Sequence, residues 1–277
     1  NDSPRQPLRR VAAPMETKLL IAGTTVAAAG AALYYLLQQR KPSMPIKIGY
    51  WKIRGLGAPC RMAATFGGIP YESVEYEVHK KADGGWDVSD WFNVKPPLVE
   101  RNAMMNLPYV IDGDVVVTQS NACLMHIGRK AGLVGKTEAE LSAVEQTLCQ
   151  LMDLRNGTTG LAYGSYTKEN ALKHLQDTVA TNFTKLEGFM KQRGTAFLAA
   201  NTVTVADFHC FEMIDQAVLL AKYVGAPSPL KGFSRLTALH EALRKEPKLA
   251  SYFASSQYSL PQNNKMAKYG GDLIDGR

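Results

Sequence analysis

The segment NLPYVIDGDVVVTQS, residues 106–120, decides the fold of the first half of the chain. Two apolar runs flank Asp112-Gly113, a pair that supplies the positive φ of a tight hairpin turn. Gln119-Ser120 then precedes the helical pattern NACLMHIGRKAGL, with Ser120 as the candidate N-cap. The segment therefore predicts a strand, a hairpin turn, a second strand and a helix.

The residues before this segment predict a strand, a helix and another strand. IKIGY, residues 46–50, alternates as a half-buried strand does. PCRMAATFGG, residues 59–68, predicts a helix, because proline is tolerated in a first turn and a glycine pair ends the run. Apolar residues alternate with glutamates over residues 74–78, which predicts the second strand.

From Thr137 onward the sequence predicts only helices. Apolar residues recur at helical spacing over residues 141–151 and 172–190. Thr204 with Asp207 matches a capping box at the start of TVADFHCFEMIDQAVLLA, a run that is apolar most of the way round. The predicted fold class is thus an α/β domain followed by an all-α domain.

The positive charge of the chain is concentrated at its start. The 277 residues carry 32 Lys and Arg against 25 Asp and Glu, a formal charge of +7. The first 45 residues hold six of the basic residues and two of the acidic ones, which leaves +3 for the remaining 232. Because that body has no Lys/Arg run with interleaved aromatic residues, we expect no nucleic-acid partner.

Residues 19–37 form an uncharged apolar stretch between basic flanks. A helix of that length spans about 28 Å, close to the roughly 30 Å hydrocarbon core of a bilayer. Lys18, Arg40 and Lys41 flank the stretch, which predicts one transmembrane helix over about residues 18–38; a signal-peptide core and a buried helix are the alternatives. The predicted domains are residues 1–44, with the basic segment and this helix; residues 45–132, α/β; and residues 133–277, all-helical with a C-terminal tail.

Small residues recur every four positions in that stretch, at Gly23, Ala27 and Ala31. Such stripes let helices approach closely in lipid, so they indicate either a transmembrane protein partner or alanine as helix-compatible filler. The Arg-rich, acid-poor start NDSPRQPLRR resembles an organelle leader or the residues after its cleavage point, with a trimmed sequence as the alternative. We expect a single-pass protein in contact with lipid, in the mitochondrial inner membrane ahead of a plastid or reticular membrane.

Common catalytic and metal-binding motifs do not occur in the sequence. The five His residues are each more than thirty positions apart, so no paired zinc ligands exist and no metal is expected. The four Cys form no C-x-x-C pair, which fits a reducing compartment and argues against a redox dithiol. What remains are residues at loop ends: Tyr50 after the first strand, Asn106-Leu107-Pro108 with an X-Pro bond that can be cis, and Ser120 at a helix start. Each alone is also explained by packing, a turn or a simple cap.

Taken together, these residues belong to motifs that resemble mu-class glutathione transferases, in the family's order and near its spacing. The motifs are GYWKIRGLG from Gly49, WFNVK from Trp91, NLPYVIDG from Asn106, TQSNA from Thr118, Met152-Asp153, Tyr163, VTVADF from Val203 and SSQY…KMAKY from Ser255. The resemblance covers nearly everything after residue 44. It implies a thioredoxin-like domain followed by a helical domain, with the membrane helix as an N-terminal extension.

The resemblance implies glutathione as the substrate, with no metal, and gives residues their roles. Tyr50 matches the catalytic tyrosine, whose hydroxyl donates to the glutathione sulfur and favours its thiolate. Tyr163 matches a phenol of the electrophile pocket that can assist addition, and Met152 is placed in the same pocket. Residues matching glutathione contacts are Trp51, Trp91 and Lys95 at the glycine end, Leu107 at the cysteinyl part, Gln119 and Ser120 at the γ-glutamyl end, and also Asn106, Pro108 and Asp153.

Three positions depart from the family's pattern. Val88 stands where the family has a basic residue that contacts a glutathione carboxylate. Met104 and Met125 stand where mu enzymes carry a phenylalanine that inserts into the partner subunit and an interface arginine. These changes count against the usual homodimer, and they affect Asp153, whose family role is to reach glutathione in the neighbouring subunit.

Two functions follow from the sequence. The first is a membrane-anchored glutathione transferase that acts on hydrophobic electrophiles. The alternative is a glutathione-transferase-like accessory subunit of a large membrane complex, with weak or no catalysis, since fold alone does not decide function. A thiol-transferase that uses Cys60 is disfavoured, because Tyr50 occupies the position that matters and Cys60 falls inside the first helix.

Overall fold

The computed structural model describes residues 44–271 of the chain. The predicted membrane helix at about residues 18–38, with Gly23, Ala27 and Ala31, and the leader-like start lie outside the described residues, as do residues 272–277. Between residues 44 and 271, no helix combines the length and the apolar character needed to cross a bilayer.

A four-stranded mixed sheet organises the first half of the described chain. In chain order the elements are β1 (Ile46–Trp51), α1 (Gly57–Phe66), β2 (Tyr71–Tyr76), β3 (His79–Lys80), β4 (Trp86–Asp87), α2 (Ser89–Phe92), α3 (Lys95–Arg101), β5 (Tyr109–Asp112), β6 (Val115–Thr118) and α4 (Ser120–Ala131). The sheet order is β2-β1-β5-β6. β1 and β2 run parallel with α1 as their crossover, whereas β5 pairs antiparallel with both β1 and β6.

The alternation in β1 sends its apolar residues into the core. Ile46 and Ile48 are fully buried beside Ala58 of α1 and Leu124 of α4, while Lys47 stays exposed. Helices thus cover this face of the sheet, and the arrangement is the thioredoxin-like one that the resemblance implies.

The second half of the described chain is helical. Its helices are α5 (Glu138–Gly160), α6 (Lys168–His174), α7 (Ala180–Arg193), α8 (Val205–Val224), α9 (Ser234–Arg244) and α10 (Ala250–Phe253). The predicted central helix is α8, which packs against α1, α5 and α9. The predicted capping box at Thr204 and Asp207 is present; the buried Asp207 carboxylate accepts the backbone N–H of Thr204 at 2.7 Å.

Three local features differ from the predictions. Asp112 still pairs with Val115, so the hairpin turn is centred on Gly113 and Asp114, and the positive φ of +60° belongs to Gly113. Ser120 is not the N-cap: Gln119 occupies that position and Ser120 is the first residue of α4. The periodic run over residues 172–190 is not one regular helix, because a π-turn at Leu175–Val179 separates α6 from α7.

Buried charges join the two halves. Arg54, in the loop after β1, is fully buried and donates to Glu212 and Asp215 on α8. Its Nε lies 3.0 Å from Glu212 Oε2, and its Nη2 lies 2.7 Å from Asp215 Oδ2. The loop that follows Tyr50 is therefore fastened to the central helix of the other half.

Candidate active site

Tyr50 lies near the carboxyl end of β1 with only 3% of its surface exposed. The loop after β1 packs tightly against its phenol. A Cβ added to Gly55 would lie 2.9 Å from the Tyr50 hydroxyl, and one added to Gly57 would lie 2.9 Å from Cδ1 of the ring. Gly55 also has a φ of +35°, so a larger residue there would be strained as well as crowded. These glycines allow the loop to hold Tyr50 in place.

Tyr163, from the helical half, lies close enough to Tyr50 for the two phenols to interact electrostatically. It lies in the π-turn Leu161–Ser165 that follows α5, and its hydroxyl oxygen accepts the backbone N–H of Asn264 at 2.8 Å. Burial raises the pKa of Tyr163, and the nearby Tyr50 phenol adds to this shift in pKa. The structure thus brings the two predicted tyrosines together, and Tyr163 holds its proton at neutral pH.

An aromatic cluster underlies the predicted glycine end. Trp91 is 1% exposed and stacks on Tyr109 with ring centroids 6.0 Å apart. Trp51 and Leu107 pack at the edge of the same cluster. The ammonium of Lys95, the first residue of α3, lies 5.8 Å from the centroid of the Trp91 ring. Four of the predicted glutathione contacts therefore share one region.

The segment Asn106-Leu107-Pro108 is fastened to β6. The Asn106 N–H donates to the Thr118 hydroxyl at 3.2 Å, and that hydroxyl donates to the Asn106 carbonyl at 2.8 Å. The Leu107–Pro108 peptide bond is cis, as the sequence allows. Thr118 is a supporting residue that sequence reasoning named only within a motif.

The start of α4 carries Gln119 and Ser120, the residues predicted to bind the γ-glutamyl end. Gln119 has a φ of +72°, which is uncommon for a non-glycine residue and typical of functional sites. The Ser120 hydroxyl donates to Sδ of Met152 at 3.6 Å, which places Met152 at this end of the site. Met152 lies on α5 and Tyr163 lies in the π-turn that follows this helix; their pairing in one pocket stays a prediction. Asp153 is exposed on α5 and lines a cleft of about 400 Å³ between α5 and α7.

The two methionines at the predicted dimer contact and Cys60 differ in their burial. Met104 is 69% exposed, and Met125 is buried at a groove of about 370 Å³ between α4 and α5. Cys60 is fully buried in α1, and burial raises the pKa of its thiol to about 12, which leaves it unreactive. Within residues 44–271, no group of His, Cys, Asp or Glu side chains is placed to hold a metal ion.

Two contacts near Tyr163 were not predicted from the sequence. They are the hydrogen bond from the Asn264 N–H to Tyr163 and the ion pairs of the Glu77 carboxylate. Glu77 directly follows β2 and accepts hydrogen bonds from Lys52 and Lys265. The motif SSQY…KMAKY includes Asn264 and Lys265 without a periodic pattern, so nothing local in it indicates what these residues contact.

Comparison with known proteins relates both halves of the chain to glutathione transferases. The chain matches the family descriptions "Glutathione S-transferase, N-terminal domain" at residues 46–129 and "Glutathione S-transferase, C-terminal domain" at residues 152–256. It is 32% identical over 233 residues to Glutathione S-transferase Mu 3 of Homo sapiens, covering 82% of this chain and 96% of that protein. It is 34% identical over 236 residues to Glutathione S-transferase Mu 6 of Mus musculus, covering 83% and 100%.

A solved structure agrees with these matches. The crystal structure of the glutathione S-transferase Blo t 8 superposes with a TM-score of 0.66 at 27% identity, over 81% of this chain and 99% of that one. The sequence matches and the structural match run through the sheet that carries Tyr50 and the helices that carry Tyr163. The chain belongs to the glutathione S-transferase family.

Proposed function

We propose that this chain conjugates reduced glutathione to hydrophobic electrophiles, with Tyr50 as the catalytic tyrosine. The observation that carries the proposal is that two buried phenols, Tyr50 at the end of β1 and Tyr163 in the turn after α5, lie close enough to interact electrostatically. A structural accessory subunit has no need of this pair, so its retention favours catalysis over that alternative.

The role of Tyr50 is to hold the sulfur of glutathione as a thiolate. An ordinary thiol has a pKa of about 8.5, so only a few per cent is ionised at neutral pH. A hydroxyl that donates to the charged form lowers this pKa, and the thiolate is the nucleophile. Because Tyr50 is buried, its hydrogen bond is stronger than the same bond in water.

The two carboxylate ends of glutathione have matching places in the site. The Lys95 ammonium beside Trp91 offers a positive charge to the glycyl carboxylate. The first turn of α4 offers N–H groups without partners in the helix, together with the Ser120 hydroxyl, to the γ-glutamyl carboxylate. Leu107, between these ends, offers backbone groups to the cysteinyl part.

Tyr163 serves as the proton donor in addition reactions. When the thiolate attacks an epoxide, a C–S bond forms, the C–O bond breaks, and the oxygen that gains the electron pair takes the Tyr163 proton. Water then returns a proton to Tyr163. The raised pKa of Tyr163 keeps this proton in place until the oxygen becomes basic.

The purified protein is expected to conjugate glutathione to a generic aryl halide, and to discriminate between thiols. N-acetylcysteine has the same reacting group without the γ-glutamyl and glycyl ends. Losing both charge-assisted contacts is expected to lower kcat/KM roughly 100-fold or more. Mass spectrometry of the conjugate and initial rates with each thiol measure this. Equal rates with the two thiols, or no conjugate, would contradict the proposal.

We further propose that the chain is a mu-class enzyme. The motif resemblance and the relatives named Mu 3 and Mu 6 support this assignment. The feature most changed from the class is the homodimer contact, where this chain has Met104 and Met125. Methionine fills a pocket with less rigidity than phenylalanine.

We also propose that the protein is anchored by residues 18–38 in an organelle membrane. The mitochondrial inner membrane is favoured over a plastid or reticular membrane. The support is the sequence alone: nineteen uncharged residues between basic flanks, with Gly23, Ala27 and Ala31 as the face for a partner helix. Fractionation with alkaline carbonate tests it. The full chain should stay with the membrane, and the double variant Val26→Arg, Leu33→Arg should not, because each central charge opposes insertion by about 3 kcal/mol. Release of the unaltered chain by carbonate would overturn the anchor.

A further inference from the structure

The segment over residues 261–271, which we name the C-terminal strap, lies against the turn that carries Tyr163. The Asn264 N–H donates to the Tyr163 hydroxyl oxygen at 2.8 Å. The backbone N–H of Lys268 donates to the Ala162 carbonyl, also at 2.8 Å. The strap therefore donates a hydrogen bond to the Tyr163 phenol.

The strap is also held by residues that directly follow β1 and β2. Lys265 Nζ lies 2.7 Å from Glu77 Oε1, while Lys52 Nζ lies 2.8 Å from Glu77 Oε2. Hydrogen bonds from Lys265 and then Lys52 lower the pKa of Glu77 to about 2, so this carboxylate is ionised at neutral pH. One carboxylate directly after β2 thus joins a lysine directly after β1 to a lysine of the strap.

The ion pair restrains the backbone that presents the Asn264 N–H, because Asn264 and Lys265 are adjacent in the chain. With Lys265 held on Glu77, the Asn264 N–H occupies one acceptor site of the Tyr163 oxygen and leaves the O–H proton to point elsewhere. The same N–H stabilises negative charge on Tyr163 once the proton has left, and it acts to lower the pKa of that phenol against the effect of burial. An open strap removes both effects.

We propose that Glu77 is a positioning residue, which holds the C-terminal strap closed through Lys265 and so keeps Tyr163 ready to donate its proton. This inference rests on the proposed function of Tyr163. It makes Glu77 important where an oxygen must be protonated, as in additions to epoxides and enones. Substitution on an aryl halide expels a weakly basic halide and needs no such proton, so it depends on Glu77 much less.

The size of the effect is limited by solvent. The side chains of Lys52 and Lys265 are 47% and 48% exposed, and exposed pairs are individually weak. We therefore expect Glu77→Gln and Lys265→Gln to lower kcat/KM for an epoxide or enone by about 2- to 5-fold. With an aryl halide, kcat/KM should change by less than about 1.5-fold, and 1 M salt should reduce the wild-type advantage by screening the pairs.

The chain offers a matched control on the same two strands. Lys47 and Glu72 form another exposed pair, with Nζ and Oε2 3.3 Å apart, at the far end of β1 and β2 from the strap. Glu72→Gln should leave both reactions unchanged. Lys265→Arg, which keeps the positive charge, should retain most of the epoxide activity. Equal losses with both classes of electrophile, or none with the epoxide, would overturn the positioning role.

A second measurement tests the strap without catalysis. Backbone amide exchange over residues 261–271, followed by mass spectrometry, should be about 2- to 5-fold faster in Glu77→Gln and Lys265→Gln than in the wild type and Glu72→Gln. If the wild type failed to conjugate glutathione, the proposed function would fail while this comparison still tested the ion pair. Unchanged exchange in both variants would show that Glu77 does not hold the strap.

Discussion

Tyr50→Phe is expected to lower kcat/KM for glutathione conjugation by about 100-fold at neutral pH. Phenylalanine keeps the buried ring that packs against Gly55 and Gly57, so only the hydroxyl donor is lost. Without that donor the pKa of the glutathione thiol returns toward about 8.5, and only a few per cent is thiolate at pH 7. The variant therefore has less thiolate nucleophile, and it also lacks the hydrogen bond that orients the sulfur.

The difference in kcat/KM between the wild type and Tyr50→Phe should depend on pH. A donor to the thiolate keeps that form populated at lower pH, so wild-type activity should persist there while the variant's activity falls. As the pH rises toward about 9, the thiol ionises without help and the difference between the two proteins should shrink. Profiles of kcat/KM from about pH 6 to 9 measure this, together with the ultraviolet absorbance of bound thiolate.

Tyr71→Phe is the matched control for this experiment. Tyr71 lies on β2 opposite Ile46, at the far end of the sheet, and its hydroxyl donates to Gln257 at 2.9 Å. Its variant should keep the wild-type rate and pH profile. A Tyr50→Phe enzyme that also kept both would remove Tyr50 from the mechanism.

Features with local signals in the sequence were predictable. Gly113 provides the positive φ of the hairpin, and Thr204 with Asp207 begins α8, because each needs only a short stretch of chain. The cap at Gln119 escaped prediction, since a non-glycine residue with positive φ breaks the local rule that made Ser120 the better candidate.

Features that depend on distant contacts could not be predicted from patterns. Lys265 and Glu77 are 188 positions apart in the chain, and no periodicity relates them. The burial of Trp91 depends on Tyr76 and Tyr109, which come from two different strands. The resemblance assigned Trp91 a role in binding, whereas its packing inside an aromatic cluster became visible only in the fold.

Arg54→Met is expected to destabilise the protein by about 3–5 kcal/mol, because it leaves two buried carboxylates without their cation. Burial acts to raise the pKa of Asp215, but the hydrogen bond from His240 and the charge of Arg54 outweigh it and hold that pKa below its usual range. Burial raises the pKa of Glu212, against the opposing charge of Arg54. Methionine keeps much of the volume and supplies none of the charge.

The loss of stability in Arg54→Met should be smaller at lower pH. Without Arg54, the pKa of buried Glu212 should rise further in the folded state, so Glu212 binds a proton more readily there than in the unfolded chain. Protonation then offsets part of the loss, and the deficit should be largest at about pH 7 and smaller at about pH 5. Urea unfolding at both pH values measures it, with Lys47→Met, which removes an exposed pair, expected to change stability by less than about 1 kcal/mol.

The same variant connects stability with the site. Arg54 is four residues after Tyr50 and directly precedes Gly55, whose backbone packs on the Tyr50 phenol. Once the Arg54 side chain is lost, this loop keeps the backbone hydrogen bond from Arg54 to Pro261 but loses its ion pairs to the helical half, so kcat should fall even where the variant remains folded. The double variant Arg54→Met, Glu212→Gln should recover part of the stability by removing one uncompensated charge. A single variant as stable as the wild type would mean that apolar packing of α1 on α8, rather than this ion cluster, joins the half that carries Tyr50 to the half that carries Tyr163.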